Sequence, residues 1–461
     1  MSSSRTPESQ ATDVRRTSPK QPQAKRLPTT RPQAMRTRAV HAGRSSFEAA
    51  GVHAPPIDLS TTYPLHDLDR AGASLDAFAA GAAEAPDPIY ARLHNPTVAH
   101  VEAAIAELEG AEQAVAFGSG MAAVTAALLA ARAEGKGHVV AVRPVYGGTD
   151  HVLGSGLLGG SATFCRADEV RAALRPETGL VLIETPANPT CALLDIEAIV
   201  AAAGSVPVLV DSTFATPVLQ TPLAHGAAMV LHSATKFLGG HGDVIAGVVA
   251  TNAAWAGKLR QVRVLTGALL HPLGAFLLHR GLQTLPLRVE AAQRSATELA
   301  ARIASHPAVA RTLHPSLPGC DPLGLVGRQM RGPGAVLAFE LHGGRVAAAA
   351  VLPRLELLTA AVSLGSCDTL IQHPAALTHR VAGAQALAEG GVSEGLLRVS
   401  VGLEAVDDLW ADLGAALDAV ARAPARSVVA VADVAGRAGR AGMAAVAPAA
   451  TVPAPAGAAW A

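Results

Sequence analysis

Lys236 stands in the run LHSATKFLGGHGD (231–243), behind hydroxyls at Ser233 and Thr235 and ahead of a glycine pair. A protonated lysine is no nucleophile, but a desolvated one loses its proton more easily and can condense with a carbonyl to form a Schiff base. Two hydroxyls one residue apart suit the oxygens of a phosphate on the same ligand. The setting stands out because lysine is scarce: Lys20, Lys25, Lys136, Lys236 and Lys258 are the only ones. A lone lysine in a glycine-rich loop reads as a surface residue. Its hydroxyl and glycine neighbours reverse that reading.

Six further runs carry groups that could serve the same ligand. FGSGMAAVTAALLA (117–130) passes from a strand through Gly120 and Met121 into a helix. Free N–H groups at a helix start favour an anion, although a plain tight turn leaves the same trace. VLVDSTFATP (208–217) ends an apolar strand on Asp211, at the edge where open α/β sheets bind ligands. A carboxylate there can keep a pyridine nitrogen protonated, or simply cap a helix. IETPANPTC (183–191) sets Asn188 at another strand end, facing a ring hydroxyl or closing an Asn-Pro turn. PVYGGTD (144–150) offers Tyr146 for stacking on a planar ring, in a chain with only 3% aromatic residues; packing in the core or at a rim is the other reading. Arg398 in LLRVSVG (396–402) lies inside an apolar strand and needs an anion there: a substrate carboxylate held bidentately, or a structural partner. Tyr90 and Arg92 in IYARLHNPT (89–97) read, taken alone, as surface contacts. His232, His241, His373 and His379 lie near these runs without metal-ligand spacing, so they read as structural and no metal is expected.

The elements that must position these groups follow from periodicity. Val98, Val101, Ile105 and Leu108 recur at helical spacing, and Gly110 marks the helix end. HVVAV (138–142), GLVLIE (179–184), VPVLVD (206–211), AAMVLH (227–232) and VIAGVVA (244–250) are short apolar runs of the kind that form parallel strands covered on both faces. Strand and helix alternate, which predicts an α/β fold with a mostly parallel sheet. Beyond about residue 285 the pattern changes. A helix near 287–304, a strand at 335–341, a helix near 343–353, a strand at 396–402 and a helix near 406–421 predict a smaller C-terminal α+β domain. The expected division is a tail over 1–35, an N-terminal arm over 36–95, a large domain over 96–285, a C-terminal domain over 286–423 and a tail over 424–461. Both tails have compositions that disfavour a packed core and read as disordered.

Bulk properties narrow the function. The 461 residues suffice for more than one core, half are apolar, and the formal net charge is +0. Nothing in that balance favours nucleic acid or an anionic membrane. Cys165, Cys191, Cys320 and Cys367 are widely spaced, as free thiols in a reducing compartment are. No run is long and apolar enough to span a bilayer, and no secretory leader is evident, so the expected location is cytoplasmic.

Taken in order, TRAVHAG, YARLHNPT, SGMAA, ETPANPT, VDSTFATP, HSATKFLGGHGD, TLHPSLPG, SLGSCDTLIQHPA and LRVSVGLE resemble the Cys/Met-metabolism (trans-sulfuration) family of enzymes dependent on pyridoxal 5'-phosphate (PLP). The resemblance covers about residues 36–422. It implies fold type I, with Lys236 as the Schiff-base lysine and the carrier of the substrate's protons. Gly120, Met121, Ser233 and Thr235 would hold the cofactor phosphate, and Tyr90 and Arg92 would reach it from a neighbouring subunit. Tyr146 would stack on the ring and assist deprotonation, and Asp211 would pair with the ring nitrogen. Asn188, Ser363 and Arg398 would hold the substrate's carboxylate side, while Glu184 has a structural role near the ring. A homodimer with shared active sites, paired into a tetramer, is implied as well. So is a small amino-acid substrate: methionine, cystathionine or a homocysteine-like compound, cleaved to a thiol, ammonia and 2-oxobutanoate. The alternatives are γ-replacement on an O-acylhomoserine and, remotely, PLP binding without catalysis. Val362 and Gly242 are similar to the methionine-cleaving branch; TLHPSLPG and RQM (328–330) resemble the cystathionine branch. Gly148 departs from the cysteine usual in the former.

Overall fold

A computed structural model describes residues 33–422 apart from 49, 134 and 381. The tails expected at 1–35 and 424–461 lie, but for residues 33–35, outside the described residues. The chain forms an α/β fold with two sheets. The first contains β1 (Gln113–Phe117), β2 (His138–Val142), β3 (Ser161–Cys165), β4 (Thr178–Glu184), β5 (Val208–Asp211), β6 (Met229–His232) and β7 (Gly247–Thr251). Their spatial order is β1-β7-β6-β5-β4-β2-β3.

The sheet is mostly parallel, as expected, with one correction. The run VIAGVVA does not join as a parallel strand; β7 pairs antiparallel with both β1 and β6. No helix lies between β6 and β7, so the chain cannot make the crossover that a parallel return needs. The edge strand β3 (SATFC), half-buried and without clean alternation, left no periodic signal. Side chains alternate between two cores. Phe117, Leu209, Leu231 and Val249 face the helix Gly120–Ala133, while Ala116, Val230, Val248 and Ala250 face the helices Pro96–Glu109 and Pro272–Ala304. The helix Pro96–Glu109 begins where Asn95 Oδ1 accepts from the N–H groups of Thr97 (3.0 Å) and Val98 (3.2 Å), and ends at left-handed Gly110, as the sequence predicts.

The second sheet contains β8 (Val309–Leu313), β9 (Val336–Leu341), β10 (Thr359–Ala360), β11 (Leu370–Gln372) and β12 (Leu396–Ser400), in the order β10-β11-β12-β9-β8. Leu337, Phe339, Leu397 and Val399 pack against Leu299 and Ile303 and against Leu409 and Leu413 of the helix Val406–Arg422. The helix Pro272–Ala304 therefore enters both cores, the first through Leu278 and Leu282, the second through its last turns. The boundary expected at 285–286 falls inside this continuous helix, which contains Pro286.

Candidate active site

A cavity of about 510 Å³ opens at the carboxyl ends of β4, β5 and β6, where a sheet of this kind binds ligands. Lys236, Tyr146, Gly120, Met121, Asn188, Asp211, Ser233, Thr235, Ser363 and Arg398 all line it. The fold thus gathers ten of the twelve singled-out side chains from runs spread over 278 positions, Gly120 to Arg398. The exceptions are Tyr90 and Arg92. Arg92 donates to Val264 O (3.0 Å) and lies 5.5 Å from the ring of Tyr90, which is half-exposed. Neither lines the cavity within its own chain.

The lysine is held from both sides. Its Nζ donates to Ser363 Oγ at 2.7 Å. Burial, and then the nearby Arg398 guanidinium, pull its pKa down to about 8. Beneath it, Arg288 of the long helix donates to Phe237 O at 2.8 Å and fixes the peptide that follows the lysine. Above it, Gly365 comes so close that a Cβ there would lie 2.5 Å from Phe237 N. Ser363 has φ +83°, a left-handed conformation that costs a side-chain-bearing residue about 1–3 kcal/mol. That backbone turn lets one residue serve two partners: the hydroxyl meets Lys236, and the carbonyl accepts from Arg398 Nη2 at 2.5 Å.

Two carboxylates close the floor. Glu184 and Asp211 are register partners at the ends of β4 and β5, so their side chains leave the same face of the sheet. Asp211 Oδ1 accepts from Thr213 N (3.0 Å) and Thr213 Oγ1 (2.5 Å). Glu184 accepts from the N–H groups of Tyr146 (2.7 Å) and Asn188 (2.8 Å) and so sets both of those residues. Burial and then the Asp211 charge push Glu184 well above the usual carboxylate range. Burial raises Asp211 too, against the two Thr213 bonds that favour its ionised form. Neither carboxylate has an ion-pair partner among the described residues, so a cation arriving beside Asp211 would relieve the pair.

At the other end, the helix Gly120–Ala133 points its first N–H groups at the cavity. A Cβ on Gly120 would lie 2.8 Å from Ser233 Oγ, so only glycine lets the helix start and Ser233 close on one spot. The Thr235 hydroxyl is engaged locally, donating to Ala246 O (3.2 Å) and accepting from Ala246 N (3.0 Å). Tyr146 precedes the helix Gly147–Gly154, and a Cβ on Gly148 would lie 2.6 Å from its ring. Arg398 is buried and donates to Asn188 Oδ1 at 2.8 Å, and among the described residues its Nε has no partner.

This donor set fits a phosphorylated pyridine aldehyde. The anion finds a helix N-terminus with a serine hydroxyl, the aldehyde finds a lysine amine close to losing its proton, and the ring nitrogen finds an unpaired carboxylate. Sequence reasoning passed over Thr213, Arg288 and Gly365. Thr213 could have been found, since a hydroxyl two residues after an Asp commonly closes on it. Arg288 left no signal, because its partner is a carbonyl remote in sequence.

Comparison with known proteins agrees with this geometry. The model of the family described as Cys/Met metabolism PLP-dependent enzyme matches residues 36–418. The chain is 57% identical over 385 residues to an L-methionine gamma-lyase of Brevibacterium sandarakinum, spanning 83% of this chain and 97% of that one. It is 55% identical over 385 residues to an L-methionine gamma-lyase of Streptomyces avermitilis, spanning 83% and 89%. Among solved structures it resembles cystathionine gamma synthase from Xanthomonas oryzae pv. oryzae in complex with aminoacrylate and cysteine, with TM-score 0.77, 35% identity, and coverage of 85% and 99%. It also resembles cystathionine gamma-lyase from Lactobacillus plantarum complexed with L-serine, with TM-score 0.76, 33% identity, and coverage of 84% and 99%. By sequence and fold alike, the chain belongs to the Cys/Met metabolism PLP-dependent enzymes of fold type I.

Proposed function

We propose that this chain is a carbon–sulfur lyase acting on methionine or a close analogue, converting it with water to a thiol, ammonia and 2-oxobutanoate. The observation that carries the substrate choice is the charge inventory of the cavity. Among the described residues its charged lining groups are Glu184, Asp211, Lys236 and Arg398, Glu184 held by the Tyr146 and Asn188 amides and the others assigned to the cofactor or to one amino-acid end. The rest of its mouth includes Ile245, Val362 and Leu377, all exposed and apolar. A second zwitterionic end, as in cystathionine, finds no counter-charge there, whereas a methylthio group finds apolar contact. The likeness to the two L-methionine gamma-lyases supports the same choice.

When bound, PLP supplies an electron sink that makes proton loss at the substrate's Cα and Cβ accessible. The chain's own groups do the rest. Arg398, steadied by Asn188, would take the α-carboxylate, its Nε having no partner among the described residues. Lys236 carries protons between carbons, since an amine with a pKa of about 8 gives and takes them near neutrality. Ser363 aims that amine. Asp211 would pair with the ring nitrogen, and Tyr146 would stack on the ring and assist proton transfer. Gly120, Met121, Ser233 and Thr235 receive the phosphate.

Two copies are needed for a complete site in this reading. Tyr90 and Arg92 lie outside their own cavity, and the same N-terminal arm exposes Leu59 (63%) and Leu68 (84%), as a surface covered by a second copy does. The family resemblance extends the dimer to a tetramer and favours a cytoplasmic enzyme. The arm over 36–95, a large domain and a C-terminal domain hinged on the long helix describe its parts.

The test supplies purified PLP-loaded protein with L-methionine, L-cystathionine, or O-succinylhomoserine plus cysteine. The expected result is 2-oxobutanoate and thiol in equal amounts from methionine, with little from cystathionine. A thioether from the acylhomoserine mixture and no 2-oxobutanoate from methionine would overturn the lyase in favour of γ-replacement.

A further inference from the structure

Arg398 is buried in an apolar strand, and a carboxylate clamp works only if its guanidinium is held in one plane. Asn188 and Ser363 fix one edge of that plane. The other edge is met by residues from a segment of the chain given no role above. Gln372 lies directly opposite Arg398 in the β11–β12 pairing. With its carbonyl oxygen toward the guanidinium it accepts from Nη1 (3.1 Å) and Nη2 (3.0 Å), and from Thr378 Oγ1 (3.0 Å). The opposite orientation lets Nε2 donate to Thr378 Oγ1 but sets an amide donor against two guanidinium donors, so charge-assisted acceptance decides it.

Thr378 Oγ1 is also 3.0 Å from His379 Nδ1, and His379 Nε2 donates to the backbone carbonyl of Asn188 at 3.2 Å. Thr378 has one hydroxyl proton, and given to Gln372 it leaves none for His379 Nδ1, so His379 reaches the guanidinium through Asn188, whose backbone carbonyl it holds and whose Oδ1 accepts from Nη1. His379 is buried, and burial pulls its pKa down to about 4. At neutral pH it is therefore uncharged, with Nε2–H facing the Asn188 carbonyl and Nδ1 left to accept. The loop is pressed on the site as well: a Cβ on Gly147, next to Tyr146, would lie 2.3 Å from Thr378 O.

We propose that His379 is a positioning residue for the carboxylate clamp, acting through the Asn188 main chain, so that the site selects amino acids over plain amines. This deepens the lyase reading and rests on its assignment of Arg398 to the α-carboxylate. His379 does not itself line the cavity. Its loss would tilt the clamp and leave Lys236 as it is.

The test titrates PLP-loaded protein with L-norleucine, which has no γ-leaving group, and with n-pentylamine, the same chain without the carboxylate. The visible band of the cofactor reports binding of each. His379→Phe keeps the ring volume and removes the hydrogen bond to Asn188 O; His379→Gln restores a donor at the Nε2 position. The expected result is an approximately tenfold weaker norleucine affinity in His379→Phe, an unchanged pentylamine affinity, and recovery of most of the difference in His379→Gln. Equal weakening of both ligands, or no weakening of norleucine, overturns the proposal. A wild-type protein that binds the two ligands equally well would instead overturn the assignment of Arg398 on which it rests.

Discussion

The two sheets contribute to the cavity in different ways. The first offers strand ends and a helix start, so its groups come in short local runs: Gly120 with Met121, Asp211 with Thr213, and Ser233 with Thr235 and Lys236. The second offers Ser363 and Arg398, with Gln372 and Thr378 behind them, brought together by tertiary contact across loops. The first half is suited to a ligand that stays, with backbone amides and a glycine cradle fixing the phosphate. The second is suited to a ligand that comes and goes, with a clamp built from side chains. Lys236 belongs to the first by sequence and is aimed by the second through Ser363.

That division can be broken by experiment. The largest effect belongs to the residue shared by both halves: Lys236→Ala should lower turnover on the order of 10⁴-fold, measured as 2-oxobutanoate release. Next come the paired changes that separate the halves. Arg398→Lys should raise KM for methionine about a hundredfold and leave PLP affinity within about twofold, because a point charge cannot replace a bidentate fork. Gly120→Val should do the reverse, driving Ser233 from its place and weakening PLP binding about tenfold in dialysis assays. If either variant moves both quantities equally, the two halves are not separable.

A coupling between them is also expected. Arg398 contributes to the low pKa of Lys236, after burial, so Arg398→Gln should shift the pH at which the free lysine of the apo-protein reacts with an acylating reagent upward from about 8. An unchanged or lower midpoint would show that the guanidinium does not act on the amine.

A separate effect is on stability. His314 and His379 are buried around the second sheet, and burial pulls each imidazole down to about 4. Their folded pKa lies below the unfolded value, so the unfolded state takes up protons first as pH falls. Stability from this source is complete above about pH 6.5 and is lost progressively toward pH 4, reaching about 2 kcal/mol for each histidine at pH 5. Urea unfolding at pH 7 and pH 5 measures it, and His314→Asn should flatten the dependence.

The contrast between the sheets also explains what could be read from the amino acids. Strand ends beside glycine turns are local events, and Lys236, Asp211 and the Gly120 turn were legible in the sequence for that reason. Arg398 was legible as an anomaly, a cation in an apolar strand. The antiparallel entry of β7 was not, because an apolar run records burial on two faces and carries no direction. β11 spans only Leu370–Gln372, too short for a period to register, and Gln372 went unnoticed with it. His379 stayed among the structural histidines because its partners, Asn188 O and Thr378, are visible only after folding. No linker was legible near 285, because a helix shared between two cores keeps its periodicity while changing partners.

One measurement reaches the centre of the account. Borohydride reduction of the PLP-loaded protein fixes the cofactor to whichever amine holds it, and peptide mapping then locates the mark. A single pyridoxyl group on Lys236, abolished in Lys236→Ala, is expected. A mark on Lys136 or Lys258, or one that persists in that variant, would contradict it.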